Sequence, residues 1–377
     1  MINKIAIRNF KSIQDKSFPL RNLNVLLGLN GQGKSSFIQV LLMLRQSSDN
    51  LKKGFLNING ELIKIGKAKD ALYQFAKGDL HFDIEFNNSQ KLDYQFIYES
   101  DSDIFKVKET HSNPNLDSNE ALFSNKFQYL NADRIEPKSL HSKSYSSVSM
   151  NRNLGIKGEY TVHFLELNGN DLIAFDNCLH PKSNIATNSK NEKLVDKRLI
   201  HQVNKWLSEI SPEVNVITSD LTSDFVQLGF EYTQPTFGST MTFKPENVGF
   251  GISYALHVVT ALLSAQPGGI VIIENPESHI HPRGQAELGK LIALVAQNDV
   301  QLIIETHSDH IVNGIRVAIK EKPELKDKSI LFYFEKVVTE SEQYSQITNI
   351  EVDSKGELSE YPKNLLEEWS IQLLKLL

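Results

Sequence analysis

The chain has 377 residues, of which 40% are apolar and 23% are charged, and its formal net charge is −6. This composition excludes a disordered polymer and a disulfide-stapled miniprotein, and the length predicts two domains or one large domain with an insertion. The negative charge gives no overall basic footprint for nucleic acid, although a local basic face stays open.

The sequence also bears on where the protein works. Its one cysteine, Cys178, cannot form an internal disulfide, and the first residues lack the apolar core of a secretory signal. No charged residue lies between Glu246 and Glu274, but the Gln-Pro-Gly-Gly turn at 266–269 interrupts this stretch, which favours two buried elements over a membrane span. We therefore expect a cytoplasmic protein without a membrane contact.

The first third of the chain predicts strands around one helix. Apolar residues alternate with polar ones from Ile5 to Phe18, and a short apolar run ends at Leu27, which indicates two early strands. Apolar residues at helical spacing predict a helix over 34–44. Alternation returns between residues 60 and 132 and predicts a twisted antiparallel β lobe.

The middle of the chain predicts an inserted lobe. Residues 134–200 are rich in Ser, Asn and Lys, especially at 142–147 and 183–197, which is typical of mobile loops or of an insertion. Helical periodicity then predicts a helix over 199–210. Strands are expected near 214–217 and 226–230.

From residue 249 onward, predicted helices alternate with predicted strands. The helices span 252–264, 284–297 and 308–320, and the strands span 269–274, 300–305 and 329–334. This order predicts an α/β fold with a parallel, doubly wound core sheet.

A glycine-rich segment between a predicted strand and a predicted helix has the spacing of a phosphate-binding loop. Residues 28–35 read Gly-Leu-Asn-Gly-Gln-Gly-Lys-Ser and match G-x-x-x-x-G-K-[ST]. Glycines let successive backbone N–H groups converge on a phosphate, and the following helix N-terminus adds partial positive charge. Lys34 is expected to bridge the β- and γ-phosphates of ATP, and Ser35 to give Mg²⁺ a hydroxyl ligand. The expected nucleotide-binding residues are Asn30, Gly31, Gln32, Gly33, Lys34, Ser35 and Ser36.

Two further predicted strands end in polar residues. The apolar run at 269–273 ends in Glu274, where a P-loop enzyme places its Mg²⁺-side acid, and Asn-Pro-Glu-Ser-His-Ile-His-Pro follows. The run at 302–304 is followed by Glu-Thr-His-Ser-Asp-His. Because open α/β sheets bind ligands at the carboxyl ends of their strands, both segments are expected to belong to the site.

The same segments allow a second interpretation. Four histidines and three acids have the residue types of a dinuclear metal hydrolase, namely His279, His281, His307, His310, Glu274, Glu277 and Asp309. The phosphate loop argues against this interpretation, because a Mg²⁺–nucleotide site already needs these strand ends. The sequence leaves it open.

Five segments carry a resemblance to a known family. They are Ile-Ala-Ile-Arg-Asn-Phe-Lys-Ser at 5–12, the phosphate loop, Asn-Val-Gly-Phe-Gly-Ile-Ser at 247–253, the Glu-Asn-Pro-Glu strand end and Glu-Thr-His-Ser-Asp-His at 305–310. On these segments the chain resembles the ABC-type ATPase heads of the SMC, RecF and overcoming-lysogenization-defect (OLD) nuclease class. More narrowly, it resembles the stand-alone AAA-family ATPases of bacterial anti-phage systems.

The resemblance implies roles for two residues at the strand ends. Glu274 matches the Walker B acid that holds Mg²⁺ through water. His307 matches a switch histidine that senses the γ-phosphate, and capping of the 308–320 helix is its structural alternative.

One residue departs from the pattern of the family. Asn275 stands where the wider class has its catalytic glutamate, and an amide cannot act as a general base. Either Glu277 acts as the base, or water is only positioned and hydrolysis is slow. The alternative for Glu277 is a structural acid that pairs with a cation or caps the helix that begins near Arg283.

The resemblance also implies a homodimer that sandwiches ATP. Gly251 and Ser253 belong to a signature-like segment, whose N–H groups and Ser253 hydroxyl are expected to face outward and contact the γ-phosphate bound by a second subunit. A plain amphipathic core helix is the alternative. Arg134, Asp70 and Gln74 are either sensors near the nucleotide or polar surface residues.

The resemblance predicts three segments along the chain. Residues 1–133 form an N-terminal ATPase segment with the phosphate loop and β lobe, and residues 134–245 form an inserted, mainly helical lobe with return strands. Residues 246–377 carry the signature helix, the Walker B acid and the switch histidine. No Asp-x-Asp pair of a Toprim nuclease domain follows this histidine, so a nuclease is expected on a separate polypeptide.

Three functions are compatible with these residues. The leading one is an ATP-hydrolysing dimeric switch that regulates a partner effector, a nuclease, in anti-phage defence. The second is a RecF-like repair ATPase that contacts DNA through a basic edge made of Lys4, Arg8, Lys11, Lys16 and Arg21. The third is the metal-dependent hydrolase.

Overall fold

The computed structural model describes residues 1–112, 120–187, 193–234, 236 and 238–376. Its strands are β1 (Ile2–Phe10), β2 (Ile13–Pro19), β3 (Leu23–Leu27), β4 (Phe55–Asn57), β5 (Leu80–Phe86), β6 (Lys91–Ile97), β7 (Ile104–Thr110), β8 (Phe127–Leu130), β9 (Leu140–Ser142), β10 (Asn184–Thr187), β11 (Lys193–Val195), β12 (Val214–Asp220), β13 (Phe225–Gln234), β14 (Gly238–Ser239), β15 (Gly269–Glu274), β16 (Val300–Glu305), β17 (Ser329–Val338) and β18 (Gln343–Ile350). Its α-helices are α1 (Lys34–Gln46), α2 (Ser48–Leu51), α3 (Ala68–Ala71), α4 (Thr161–Asn168), α5 (Leu199–Leu207), α6 (Phe250–Leu263), α7 (Pro282–Ala296), α8 (Asp309–Glu321) and α9 (Glu368–Leu376).

The chain folds into two compact units. The first contains residues 1–124, 326–353 and 357–377, and the second contains residues 125–325 and 354–356. The boundaries of these units differ from those of the three segments predicted from the sequence. The division into three segments stays a prediction.

The first unit contains a six-stranded antiparallel sheet, in the order β2-β1-β5-β6-β7-β4. The predicted antiparallel lobe is confirmed by β5, β6 and β7. In the same unit β17 pairs in parallel with β3 and antiparallel with β18. The ring of Phe18 lies 4.7 Å from that of Phe37 on α1 and 5.3 Å from that of Phe332 on β17, so aromatic packing holds β2, α1 and β17 together.

The structure corrects the prediction for the N-terminus. The alternating residues between Ile5 and Phe18 form two strands, because the chain reverses between β1 and β2, where Lys11 has a φ of 49°. The alternation predicted strand residues on both sides of this turn, but the turn itself has no glycine or proline to mark it.

The second unit is built around three parallel strands, in the order β8-β15-β16. Helices α6, α7 and α8 follow the predicted alternation with β15 and β16, with ends shifted by two residues or fewer. Strand β8 was expected in the antiparallel lobe, and this prediction is wrong: Tyr129 of β8 lies opposite Ile272 of β15 in a parallel pair. All four residues of β8 are buried, as in a strand covered on both faces.

The inserted lobe is mixed rather than mainly helical. Within residues 134–245, the described part has two α-helices, α4 and α5, and the six strands β9 to β14. Strands β12 and β13 pair over seven positions, from Val214–Tyr232 to Asp220–Val226. The predicted loop at 183–197 contains the antiparallel pair β10–β11, and its residues 188–192 lie outside the described residues.

The stretch without charged residues forms α6 and β15 on either side of the 266–269 turn, as predicted. Among the helices of the described residues, none has both the length and the apolar character that crossing a membrane requires.

Candidate functional site

The predicted phosphate loop connects β3 to α1 in the first unit. Gly28, Gly31 and Gly33 have φ angles of 132°, 74° and 104°, a region that side chains other than glycine rarely adopt. A Cβ atom at Gly28 would overlap with the carbonyl oxygen of Phe334 on β17. The three glycines therefore let the loop take a path that bulkier residues would block.

Lys34 lies at the start of α1 and is only 3% exposed. Its Nζ donates hydrogen bonds of 2.9 Å to the carbonyl oxygens of Gly28 and Leu29. These bonds hold the ammonium group inside the curve of the loop, beside the backbone that leads into the helix N-terminus. Glycine backbone, a buried cation and a helix N-terminus are the donor set that a polyphosphate requires, so the residues fit a nucleotide.

Two serines outside the motif support the loop. Ser345 of β18 donates from Oγ to the Gln32 carbonyl at 2.6 Å, and its Oγ lies 2.7 Å from Ser12 Oγ. The Ser345 N–H also donates to the Ser12 carbonyl at 2.7 Å. Gly33 lies against both hydroxyls, because an added Cβ would overlap with Ser345 Oγ and lie 2.5 Å from Ser12 Oγ.

A cavity of about 250 Å³ opens beside the loop within the first unit. Its lining is mainly polar, with two lysines and two tyrosines, and consists of Lys11, Ser12, Gly31, Tyr73, Gln74, Lys336, Gln343, Tyr344 and Ser345. Gln74 therefore lies near the phosphate loop. Asp70 instead accepts a hydrogen bond of 2.9 Å from the Lys67 N–H at the start of α3.

Two groups in this cavity have shifted pKa values. Burial raises the pKa of Tyr73 to about 12, and the hydrogen bond of 3.0 Å that its hydroxyl donates to Glu342 Oε2 raises it in the same direction. Burial lowers the pKa of Lys11, against the attraction of Asp70. The cavity thus presents a neutral phenol and a partly desolvated ammonium group to a ligand.

In the second unit, Glu274 ends β15 and contacts Tyr129 of β8. The Tyr129 hydroxyl donates to Glu274 Oε1 at 2.9 Å. Burial raises the pKa of Glu274, while the hydrogen bond from Tyr129 and the charge of Arg134 act against this rise. Burial and the neighbouring Glu274 raise the pKa of Tyr129, so the phenol is a neutral donor to the carboxylate.

Arg134 holds the turn that follows Glu274. Its guanidinium is 3% exposed and donates to the carbonyl oxygens of Glu274 at 2.5 Å and Asn275 at 3.0 Å. Burial lowers the pKa of Arg134 to about 10, against the attraction of Glu277 and Glu274, so it stays charged near neutral pH. Arg134 is therefore buried against the turn after β15 and is not a surface residue, and its role as a sensor stays a prediction.

Asn275 adopts a strained backbone conformation. Its φ is 44°, in the left-handed region that Asn tolerates better than most residues. Its N–H donates to the Glu305 carbonyl at 2.8 Å, and its side-chain Oδ1 is buried without a hydrogen-bond partner among the described residues. The conformation gives a physical reason for Asn at this position, where the wider class has Glu.

Glu277 contacts the turn after β16. Its Oε2 accepts from the Thr306 hydroxyl at 2.7 Å, and its Oε1 accepts from the His307 N–H at 2.9 Å. Glu277 does not cap α7, because His281 is the N-cap of that helix and accepts from the Arg283 N–H. The helix-cap alternative for Glu277 is therefore wrong: its carboxylate accepts from two neutral donors, and its charge attracts the nearby Arg134.

His307 is exposed, and it does not cap α8. Ser308 does so, because its Oγ accepts hydrogen bonds from the N–H groups of His310 and Ile311 at 3.1 Å each. The structure therefore brings Glu274, Asn275, Glu277 and the His307 backbone together at the carboxyl ends of β15 and β16.

The signature-like helix differs from its prediction. Gly249 is the N-cap of α6, Phe250 is 55% exposed, and Ser253 is only 3% exposed. The expectation that the Ser253 hydroxyl faces outward is therefore wrong; its Oγ is buried without a hydrogen-bond partner among the described residues. Gly251 packs on the loop after β15, where an added Cβ would overlap with the His279 carbonyl.

Comparison with protein families identifies the chain. A family model described as "AAA domain, putative AbiEii toxin, Type IV TA system" matches residues 23–313. The chain belongs to this AAA family. A second model, described as a protein of unknown function (DUF3696), matches residues 326–376 of the AAA-family chain.

Among curated proteins, the AAA-family chain is similar to an OLD nuclease of Thermus scotoductus (strain ATCC 700910 / SA-01). The two are 23% identical over 331 residues, which are 82% of this chain and 59% of that protein. The chain therefore spans less than two thirds of the length of this relative.

Two solved structures show the same fold as the AAA-family chain. One is an SMC head bound to the C-terminal winged-helix domain of ScpA, with a TM-score of 0.53, 12% identity and coverage of 92% of this chain and 98% of that chain. The other is an Smc head with an extended coiled coil bound to the C-terminal domain of ScpA, from Pyrococcus furiosus, with a TM-score of 0.50, 10% identity and coverage of 100% and 99%. The predicted ABC-type ATPase head fold is confirmed.

The histidines of the AAA-family chain do not form a metal centre in the part of the chain that the structure describes. There, no three His, Cys, Asp or Glu side chains are grouped so as to hold a metal ion. The His279 ring packs against the rings of Tyr254, at 4.9 Å, and Phe250, at 5.8 Å. These contacts do not support the metal-hydrolase interpretation.

Most of the basic residues of the predicted edge, which lie in β1, in β2 or beside them, contact other groups of the protein. Lys4 pairs with Glu85 at 3.6 Å, Arg8 with Asp15 at 3.2 Å and Arg21 with Glu351 at 2.6 Å. Lys16 donates to the Ile347 carbonyl at 2.7 Å. Because these pairs offset the charge of the edge, they do not favour the RecF-like interpretation.

Proposed function

We propose that this AAA-family chain binds ATP with Mg²⁺ and hydrolyses it slowly. The observation that supports the proposal is the phosphate loop. Lys34, at the start of α1, donates hydrogen bonds from Nζ to the carbonyl oxygens of Gly28 and Leu29. Lys34 and the loop N–H groups would take the phosphates. The cavity lined by Tyr73 and Tyr344 would take the nucleoside.

The metal and the attacking water would depend on the strand ends. Ser35 would give Mg²⁺ a hydroxyl ligand, and Glu274 would hold it through water. Because Asn275 cannot accept a proton from water at neutral pH, hydrolysis would rely on water positioned near the γ-phosphate. His307 would sense that phosphate. The bound state would then be long-lived, which suits a switch.

The switch would be an ATP-dependent homodimer. The first turn of α6 has an exposed N-cap, Gly249, and no side-chain cap, so its N–H groups could meet the nucleotide of a second subunit. Gly251 and Ser253 would support this turn by packing and would not contact the nucleotide directly. Ser253 is buried, and Gly251 packs against the His279 carbonyl.

The partner of this switch would be a separate effector protein, a nuclease. The two would act together in the cytoplasm in defence against phage. The similarity to an OLD nuclease supports a nuclease-linked role. The SMC heads bound to ScpA domains are examples of heads of this fold that have protein partners.

The test compares ATP hydrolysis and molecular mass. The purified chain should release phosphate from ATP only with Mg²⁺, and light scattering should show a dimer with ATP. Gly249→Arg should abolish the dimer and keep ATP affinity, because no atom lies within 4 Å of a Cβ added there. Ser100→Arg, an exposed position of the antiparallel lobe, is the matched control. A wild type that shows no nucleotide-dependent phosphate release contradicts the proposal.

A further inference from the structure

The carboxylate of Glu277 connects the turns after β15 and β16. Its two oxygens accept from different donors: Oε2 from the Thr306 hydroxyl at 2.7 Å and Oε1 from the His307 backbone N–H at 2.9 Å. Thr306 is fully buried. Glu277 therefore fixes the backbone that carries the exposed His307 imidazole.

The same hydrogen bonds extend to the helix that follows. The Ser308 N–H donates to Thr306 Oγ1 at 3.0 Å, and Ser308 Oγ caps α8 and contacts Gln285 of α7. Glu277 thus belongs to a network that joins the turn after β15 to two helices. A network of this kind holds one arrangement when all its members are satisfied.

These contacts reduce the ability of Glu277 to act as a base. Each carboxylate oxygen already accepts one hydrogen bond, from the Thr306 hydroxyl or from the His307 N–H, and each donor occupies a direction from which an attacking water could approach. The contacts instead serve the turn of His307.

We propose that Glu277 is a positioning residue that holds the His307 turn, and that it is not the general base. This inference rests on the proposed hydrolysis of ATP. Glu277 acts through the His307 N–H and the Thr306 hydroxyl, and the position of the imidazole depends on both hydrogen bonds.

The first test compares Glu277→Gln with Glu277→Ala. Glutamine keeps an oxygen that can accept from the His307 N–H, whereas alanine keeps neither bond. For a positioning residue, we expect kcat of Glu277→Gln to stay within about threefold of wild type and kcat of Glu277→Ala to fall about tenfold, at unchanged KM for ATP. If both variants fall equally to the background rate, Glu277 is the base and the proposal is wrong.

The second test uses His307→Ala as the background. Because Glu277 acts through His307, Glu277→Ala should lower kcat no further when His307 is already alanine. Two independent, multiplying losses would overturn the proposal. Glu287→Gln on α7, whose carboxylate pairs with Lys290 at 2.8 Å, is the matched control and should leave kcat unchanged.

Amide hydrogen exchange tests the positioning without ATP hydrolysis. Loss of the hydrogen bond to Glu277 should speed exchange of the His307 amide about tenfold in Glu277→Ala and less in Glu277→Gln. Unchanged exchange in Glu277→Ala overturns the inference. If the wild type hydrolyses no ATP, the proposed function fails, and this exchange measurement alone decides whether Glu277 holds His307.

Discussion

The phosphate loop and the strand-end turns are built in different ways. In the loop, glycines with positive φ give the backbone its path and the carbonyls of Gly28 and Leu29 hold Lys34, while a remote side chain, Ser345, contacts only the loop backbone at Gln32. The turn after β15 depends on side chains that are distant in sequence, the hydroxyl of Tyr129 and the guanidinium of Arg134.

This difference predicts that changes in the two regions have different effects, one on the affinity for ATP and the other on the rate of hydrolysis. A backbone loop gives a phosphate a fixed set of donors, so changes there should remove nucleotide binding. A turn held by remote side chains sets where a carboxylate and a histidine lie, and small displacements of such groups mainly change the rate of a reaction. We therefore expect the loop to control ATP affinity and the strand ends to control turnover.

The largest effect is expected for Lys34→Ala. Removing the buried ammonium should weaken ATP binding more than a hundredfold, since charge-assisted hydrogen bonds contribute roughly 1.5–3 kcal/mol each. Titration with a fluorescent ATP analogue measures this loss. Lys53→Ala, at an exposed lysine of the same unit, is the control and should bind as wild type does. Wild-type affinity in Lys34→Ala would remove the loop from nucleotide binding.

A pair of glycine substitutions tests whether the path of the loop matters. Gly33→Ala would place an alanine in the left-handed region, and its Cβ would overlap with the hydroxyls of Ser345 and Ser12. We expect it to lower the free energy of unfolding by about 3 kcal/mol or more. Gly31→Ala should lower it by about 1 kcal/mol, because no atom lies within 4 Å of a Cβ added there. Urea unfolding midpoints compare the two variants. Equal midpoints would show that the close contact with β18 does not stabilise the loop.

Asn275→Glu addresses the rate at the strand end. A carboxylate at this position should raise hydrolysis about tenfold if the missing base limits turnover, because positioned general bases typically contribute 10²–10⁴-fold. The gain is reduced by about 1 kcal/mol of strain, since Glu tolerates a φ of 44° less well than Asn. Single-turnover phosphate release measures the change. A rate equal to or below wild type, with ATP still bound, contradicts the slow-switch model.

The smallest effect is expected for Tyr129→Phe. The tyrosine hydroxyl stabilises ionised Glu274, so its loss should raise the pKa of Glu274 further above the ordinary value. Because Mg²⁺ needs the ionised carboxylate, the acid limb of the rate profile should move to higher pH. Hydrolysis at pH values from about 5 to 8 tests this direction. An unshifted limb would mean that Glu274 does not limit the rate at low pH.

The sequence alone predicted much of this arrangement. The phosphate loop could be recognised because backbone geometry dictates its glycine spacing, and α1 confirms the predicted helix after it. The strands that end at Glu274 and Glu305 were also predicted with their observed limits. In each case a local rule, such as spacing or an apolar run, determines the structure.

Other parts could not be predicted because they depend on contacts between distant segments. Ser345 supports the loop from 313 positions away, and Tyr129 contacts Glu274 from 145 positions away. No local pattern marks either residue. Arg134 was a candidate near the nucleotide, but its two backbone contacts depend on the fold.

The orientation of Ser253 was predicted incorrectly for a different reason. Helix α6 is buried on nearly all sides, and Ser253, His257 and Thr260 are polar residues within that buried surface. A helix that is apolar all round indicates burial, and the absence of charge between Glu246 and Glu274 was the available signal. The likeness to a signature segment favoured exposure instead.

Glu274→Gln provides the most direct test of the separation between affinity and rate. The amide keeps the size of the side chain but removes the charge that would hold Mg²⁺ through water. The measurement is ATP affinity and single-turnover hydrolysis of this variant beside wild type, at saturating Mg²⁺. We predict affinity within about threefold of wild type and hydrolysis reduced at least about a hundredfold. Unchanged hydrolysis, or a loss of affinity as large as that of Lys34→Ala, would contradict the account.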